Sequence, residues 1–160
     1  MEDIWNITAL VVSVLSVLLS LYALRQATTK NTSDMYLFFI SQYAKEDMKL
    51  ALRKLKDIKR GVYRLEQWES DMKNNLPKAF EYDEARRLVK YFYDTLAYMK
   101  LEKLIEARFV RLICLKKGAW LYLDTVEAME KFFDSGYDKK PYAVIRDVCE
   151  NLRKEGRCPP

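Results

Sequence analysis

The stretch between Asp3 and Arg25 constrains this chain more than any other: Ile4 to Leu24 is an uncharged, predominantly apolar run of 21 residues. As an α-helix rising about 1.5 Å per residue it reaches roughly 31 Å, the thickness of a bilayer's hydrocarbon core. Trp5 and Tyr22 stand near its two ends, where amphipathic rings prefer the membrane–water interface. A cleaved signal peptide is the rival, but such peptides open on basic residues and carry a shorter apolar stretch, whereas this chain opens Met1-Glu2-Asp3. The sequence therefore predicts a transmembrane anchor with its flanks over residues 1–30 and a separate domain over 31–160. Glu2 and Asp3 precede the apolar run, and Arg25 and Lys30 follow it. The positive-inside rule then places the protein in the cell membrane as a single-pass chain, N-terminus outside and domain in the cytoplasm.

Small and weakly polar residues recur along the run: Asn6, Ala9, Ser13, Ser16, Ser20, Ala23 and Ala27, in steps of 3, 4, 3, 4, 3 and 4. A 3.5-residue period draws one stripe on a helix that supercoils with a neighbour. Small residues let backbones approach in lipid, and serine hydroxyls can bond across helices. The stripe predicts contact with a second copy or with a larger membrane subunit. The alternative is that each serine bonds to its own backbone.

Beyond the anchor the periodicity is helical throughout, and no segment reads as a strand. Asn31 to Asp34 offers a break and restart with good N-cap residues. Leu37, Ile40, Ala44, Met48, Ala51, Leu55 and Ile58 then form one face of a helix that Gly61 ends. A short helix follows at about 65–73. A long one over 82–104 buries Ala85, Leu88, Val89, Phe92, Leu96 and Met99, with its relation to the apolar segment 109–115 left open. Lys116-Lys117-Gly118 reads as a helix end, with cations and glycine where the dipole and a left-handed cap favour them. Further helices are predicted over 120–133 and from Pro141, a favoured first position, to Gly156. The fold class is all-α: one N-terminal transmembrane helix followed by a cytoplasmic bundle of about five helices. With only four glycines and four prolines, a turn-rich sandwich or barrel is disfavoured.

Charge is patterned. Lys45 to Arg64 carries eight cations against three acids, and Glu66 to Glu84 reverses the balance. A basic face of Lys45, Lys49, Arg53, Lys56, Lys59 and Arg60 close to an anchor suits anionic lipid headgroups, on the order of 1 kcal/mol per residue at the surface. A protein partner or ordinary solvation explains the same residues. Arg86, Arg87, Lys90, Tyr91 and Tyr93 interleave cations with rings, as single-strand nucleic-acid binders do. They point in several directions on one helix, however, so nucleic acid is the weaker partner.

Catalytic chemistry is hard to build from these residues. The chain has no histidine, so the commonest general base and every Ser-His or Cys-His dyad are excluded. No glycine-rich phosphate loop occurs, and Glu102 with Glu106 lacks the histidines of a di-iron bundle. Three cysteines without paired spacing argue against a disulfide framework or a zinc site and fit a reducing compartment. Cys114 and Cys149 read as small buried hydrophobes, and Cys158 lies in the tail. No catalytic residue, metal or cofactor is implied.

The apolar N-terminal span, Ser41-Gln42-Tyr43, the charged Lys45-Glu46-Asp47-Met48, Ala85 to Tyr93 (ARRLVKYFY) and an apolar helix near Phe109 together resemble a family of small bacterial membrane-anchored helical proteins of unknown function. The resemblance implies an anchor and a helical domain and carries over no catalytic residues. The function expected is that of a non-enzymatic, membrane-anchored interaction protein, an accessory subunit or scaffold. The alternative is a membrane-linked effector or defence component that senses a ligand or nucleic acid through its basic surface.

Overall fold

Among the described residues, a few left-handed positions punctuate a fold that is otherwise largely helical. The computed structural model describes residues 16, 18–23, 33–133 and 137–157, and among these every regular element is a helix. The chain divides into two units, Met1–Leu37 and Phe38–Pro160.

In the first unit, Ser16, residues 18–23 and residues 33–37 are helical. Leu18, Leu19, Leu21 and Tyr22 are all exposed. Ser20 donates its hydroxyl to the Ser16 carbonyl at 2.8 Å, one turn back, so this serine satisfies itself on its own backbone. Most of the Ile4–Leu24 run lies outside the described residues. Among the described residues, no helix is long and apolar enough to cross a membrane.

The second unit is a helical bundle: α1 (38–44), α2 (Glu46–Lys59), α3 (Leu65–Lys73), α4 (Pro77–Leu101), α5 (Ala107–Cys114), α6 (Lys117–Leu121), α7 (Glu127–Phe133) and α8 (Lys139–Lys154). A π-helical turn, Tyr122–Val126, joins α6 to α7. The bundle is more finely divided than periodicity suggests, because Lys45 is extended (ψ 148°) and separates α1 from α2. At 25 residues, α4 runs roughly 37 Å and is the axis of the domain. It buries Tyr82, Asp83, Arg86, Val89, Phe92, Tyr93 and Leu96, more than one face, because α2, α3, α8 and the π turn all pack against it. By contrast α2 and α8 bury one stripe each: Met48, Ala51, Leu55 and Ile58, and Ile145, Val148, Cys149 and Leu152.

Four helices end alike. After α2, α3, α4 and α8, the residues Gly61, Asn75, Lys103 and Gly156 adopt positive φ. Beyond each, the next N–H reaches five residues back, as Leu104 does to the Met99 carbonyl at 2.9 Å. Lys103 (φ 56°) thus settles the break between α4 and α5.

Two expected boundaries move. Lys117 begins α6, and Gly118 is buried inside it where a helix end was predicted. The reason is packing: a Cβ there would meet Tyr93 Oη at 2.8 Å and Tyr43 Oη at 3.0 Å, so only glycine lets those two rings close over the helix. Pro141 is the third residue of α8, not the first. Asp138 is the N-cap and accepts from the Lys140 N–H at 2.9 Å, and proline is tolerated in the first turn because its missing N–H would have no intrahelical partner.

Candidate functional site

Aromatic packing organises the centre of the domain into a column. Tyr137 lies 5.6 Å from Tyr142, which stacks on Tyr122 at 4.5 Å; Tyr122 stacks on Tyr93 at 5.1 Å, and Tyr93 meets Phe92 edge-on at 5.0 Å. Phe92 in turn contacts Phe39 (5.4 Å) and Tyr43 (5.8 Å) of α1. The π turn makes this possible, since its extra residue re-aims Tyr122 into the column while Asp124 faces outward.

Along one flank of the column runs a buried charge network. Arg86 donates through Nε to Asp83 Oδ1 at 2.7 Å and pairs with Glu130 on α7. Arg87 holds the other oxygen of Asp83 at 2.9 Å. Lys90 pairs with Asp94 and lies 3.9 Å from Glu130, and Tyr122 donates to Asp94 at 2.5 Å. Glu127 accepts from Tyr137 and pairs with Arg146, with Lys131 at 3.6 Å. Asp83, Arg86, Glu127 and Glu130 are all buried. Four carboxylates thus meet five cations, and each buried charge has an opposite charge in contact, the arrangement that makes burial tolerable. Burial and the Glu127 hydrogen bond push the Tyr137 phenol up to about 12; burial, followed by Asp94, pushes Tyr122 far above its ordinary range. These groups hold one another in place. Among the described residues no cluster is able to hold a metal ion.

The opposite end of the column opens on a cleft of about 320 Å³ between α1, the start of α2 and α4. Phe38, Phe39, Met48, Leu88, Tyr91 and Phe92 form its walls, with Gln42, Lys45, Asp47 and Thr95 at its polar edge. Phe38 is 56% exposed, Leu88 38% and Tyr91 75%, so large apolar groups crowd the mouth. An apolar cleft of this size with few polar groups is the usual form of a binding site.

The residues singled out from sequence are distributed unevenly over these features. Lys49, Arg53, Lys56 and Arg60 lie along one exposed side of α2, and Lys45 reaches the cleft edge. Glu46 pairs with two of them, Lys49 at 3.4 Å and Arg53 at 3.9 Å, and Lys59 turns aside to Asp124 at 2.5 Å. Of the small-residue stripe, Ser16, Ser20 and Ala23 are helical and exposed, while Asn6, Ala9, Ser13 and Ala27 lie outside the described residues. Of the interleaved cations and rings, Arg86 and Lys90 belong to the charge network, Tyr93 to the column, and Tyr91 to the cleft. Sequence reasoning missed the cleft. The signal was Leu88 and Tyr91, two large apolar residues one turn apart, of which Leu88 was assigned to the core.

Comparison with protein-family models, curated protein sequences and solved structures finds no match, so the resemblance drawn from the hydrophobic pattern gains no support from them.

Proposed function

We propose that this chain is a non-enzymatic, single-pass membrane protein whose helical domain holds a helix of a protein partner in the α1–α2–α4 cleft. The observation that carries this is the cleft itself, where Phe38, Leu88 and Tyr91 leave a contiguous apolar mouth in water. An amphipathic helix laying its apolar ridge into a groove is a common way to cover such a mouth. The buried carboxylates and cations support a structural role for the polar cluster, because they are engaged with each other.

Membrane anchoring through Ile4–Leu24 rests on the sequence and on the exposed leucines of residues 18–21, which lipid would cover. The N-terminus outside and the domain in the cytoplasm follow from the charged flanks. The exposed Lys49, Arg53, Lys56 and Arg60 then suit the anionic inner leaflet.

Full-length chain recovered from membranes in mild detergent tests both parts. Wild type and Arg60→Ala should retain the same co-purifying protein, and Phe38→Asp and Leu88→Glu should lose it with their helical circular dichroism unchanged. Retention by the cleft variants would exclude the cleft. A chain that partitions into the aqueous fraction without detergent would exclude the anchor.

A further inference from the structure

Helix α5 buries only one of its faces. Val110, Ile113 and Cys114 are buried, whereas Arg108, Arg111, Leu112 and Leu115, spaced i, i+3, i+4 and i+7, share the outer face. Beside that face α8 ends. Gly156 adopts a left-handed φ of 70°, and the Arg157 N–H returns to the Leu152 carbonyl at 2.9 Å, a turn that brings Arg157 back toward α5. Between the two helices lies a depression of about 420 Å³. Its apolar lining is Leu112, Leu115 and the buried Leu152; its polar lining is Arg108, Arg111 and Arg157, with no acid among the residues that form it. Two glutamates reach these cations from outside the lining. Glu106 takes Arg108 Nε at 2.6 Å, and Glu155, which caps the end of α8, pairs with Arg111. Arg157 pairs with no acid among the described residues. Three guanidiniums against two carboxylates leave one positive charge in excess, and each guanidinium has five N–H donors, more than a single carboxylate occupies.

We propose that this depression binds a singly charged amphipathic anion, its carboxylate or phosphodiester head taken by Arg111 and Arg157 and a short apolar group resting on Leu112, Leu115 and Leu152. Guanidinium forks match the paired oxygens of such heads, and charge-assisted hydrogen bonds are about twice as strong as neutral ones. One negative charge offsets the local excess. A doubly charged phosphate monoester would bring a second charge toward Glu106 and Glu155, so the arrangement disfavours it. The leucines add a requirement that a small inorganic anion cannot meet, since each methylene fully buried on them favours binding by roughly fourfold. A volume of about 420 Å³ falls within the range of small-ligand sites, roughly 300–1,000 Å³. A free organic acid and an anionic phospholipid both offer this head and tail, and the chemistry recognised is the same.

Equilibrium dialysis of the full-length chain in nonionic detergent, with matching protein-free micelles as the blank, tests this with hexanoate and dibutyl phosphate as probes. Each should bind saturably at one equivalent per chain and displace the other, while inorganic phosphate and hexanol should bind at least tenfold more weakly. Arg157→Ala and Arg111→Lys should weaken hexanoate binding about tenfold with helical circular dichroism unchanged, the first by removing a charge and the second by removing the fork. Lys139→Ala, at the other end of α8, removes the same charge as Arg157→Ala and should leave binding within twofold. Phosphatidylglycerol in the micelles separates the two sources. Displacement of hexanoate by it, and not by phosphatidylcholine, assigns the site to a phospholipid headgroup; no displacement by either assigns it to a soluble acid. Binding that only rises linearly with concentration, or that falls equally in Arg157→Ala and Lys139→Ala, would overturn the proposal, as would inorganic phosphate competing as well as hexanoate.

Discussion

Gly118→Ala is the change at which helix propensity and packing make opposite predictions. In a helix interior, alanine is favoured over glycine by about 1 kcal/mol, so propensity alone predicts stabilisation. The new Cβ, however, would stand 2.8 Å from Tyr93 Oη and 3.0 Å from both Cε2 and Oη of Tyr43. Tyr93 is fully buried and stacked on Tyr122 at 5.1 Å, so its ring has no room to retreat. Overpacking of this kind costs about 1–3 kcal/mol. If Tyr43 withdraws, the hydrogen bond from the Gly118 N–H to its hydroxyl, at 3.2 Å, is lost as well, about 0.5–1.5 kcal/mol more. Packing wins, and the net destabilisation expected is about 1–2 kcal/mol, a fall of roughly 2–8 °C in melting midpoint for a chain of this size.

Tyr93→Phe supplies the control. Its hydroxyl is buried with no partner among the described residues, so removing it alone should be neutral or slightly stabilising. In the Tyr93→Phe background the clash is relieved, and Gly118→Ala should lose at least half its cost. Melts of the four chains in one detergent give the coupling directly. A Gly118→Ala chain that melts higher than wild type would refute the packing account, as would an equal cost with and without the Tyr93 hydroxyl.

Two further outcomes follow from the charge network and its tyrosines. Arg86→Met should cost about 3–5 kcal/mol in urea unfolding, because it removes the buried partner of Asp83 and Glu130 and leaves them only the exposed Arg87 and a Lys90 at 3.9 Å, whereas Arg53→Ala on the exposed side of α2 should cost under about 0.5; equal costs would mean the network is not buried as described. Because the Tyr137 phenol is raised to about 12 in the folded domain, the unfolded chain gives up that proton first; stability is full below about pH 10, declines through the window from 10 to 12, and Tyr137→Phe should make the decline shallower, an unchanged slope counting against the Glu127 contact.

What could be read in the sequence was whatever short-range periodicity encodes. The buried stripe of α2 and that of α8 are local spacings of 3 and 4, and the short helix at Leu65–Lys73 sits between loops rich in turn residues. The break after α4 was illegible for a physical reason. Its left-handed cap falls on Lys103, a residue type that carries a steric cost there and gives no sign of it, whereas Gly61 and Gly156 announce theirs. Gly118 gave the wrong sign, because a glycine demanded by close approach looks the same in sequence as one demanded by backbone conformation. The cleft depends on relations that no window contains. Leu88 was assigned to the core from its spacing along α4, and only the break at Lys45, which sets α1 apart from α2, leaves that position facing a gap. Acids and bases tell the same story. Nothing local in the sequence marks Asp83, Glu127 and Glu130 for burial, and only the meeting of α4 with α7 and α8 gathers them into a buried network whose loss should be costly.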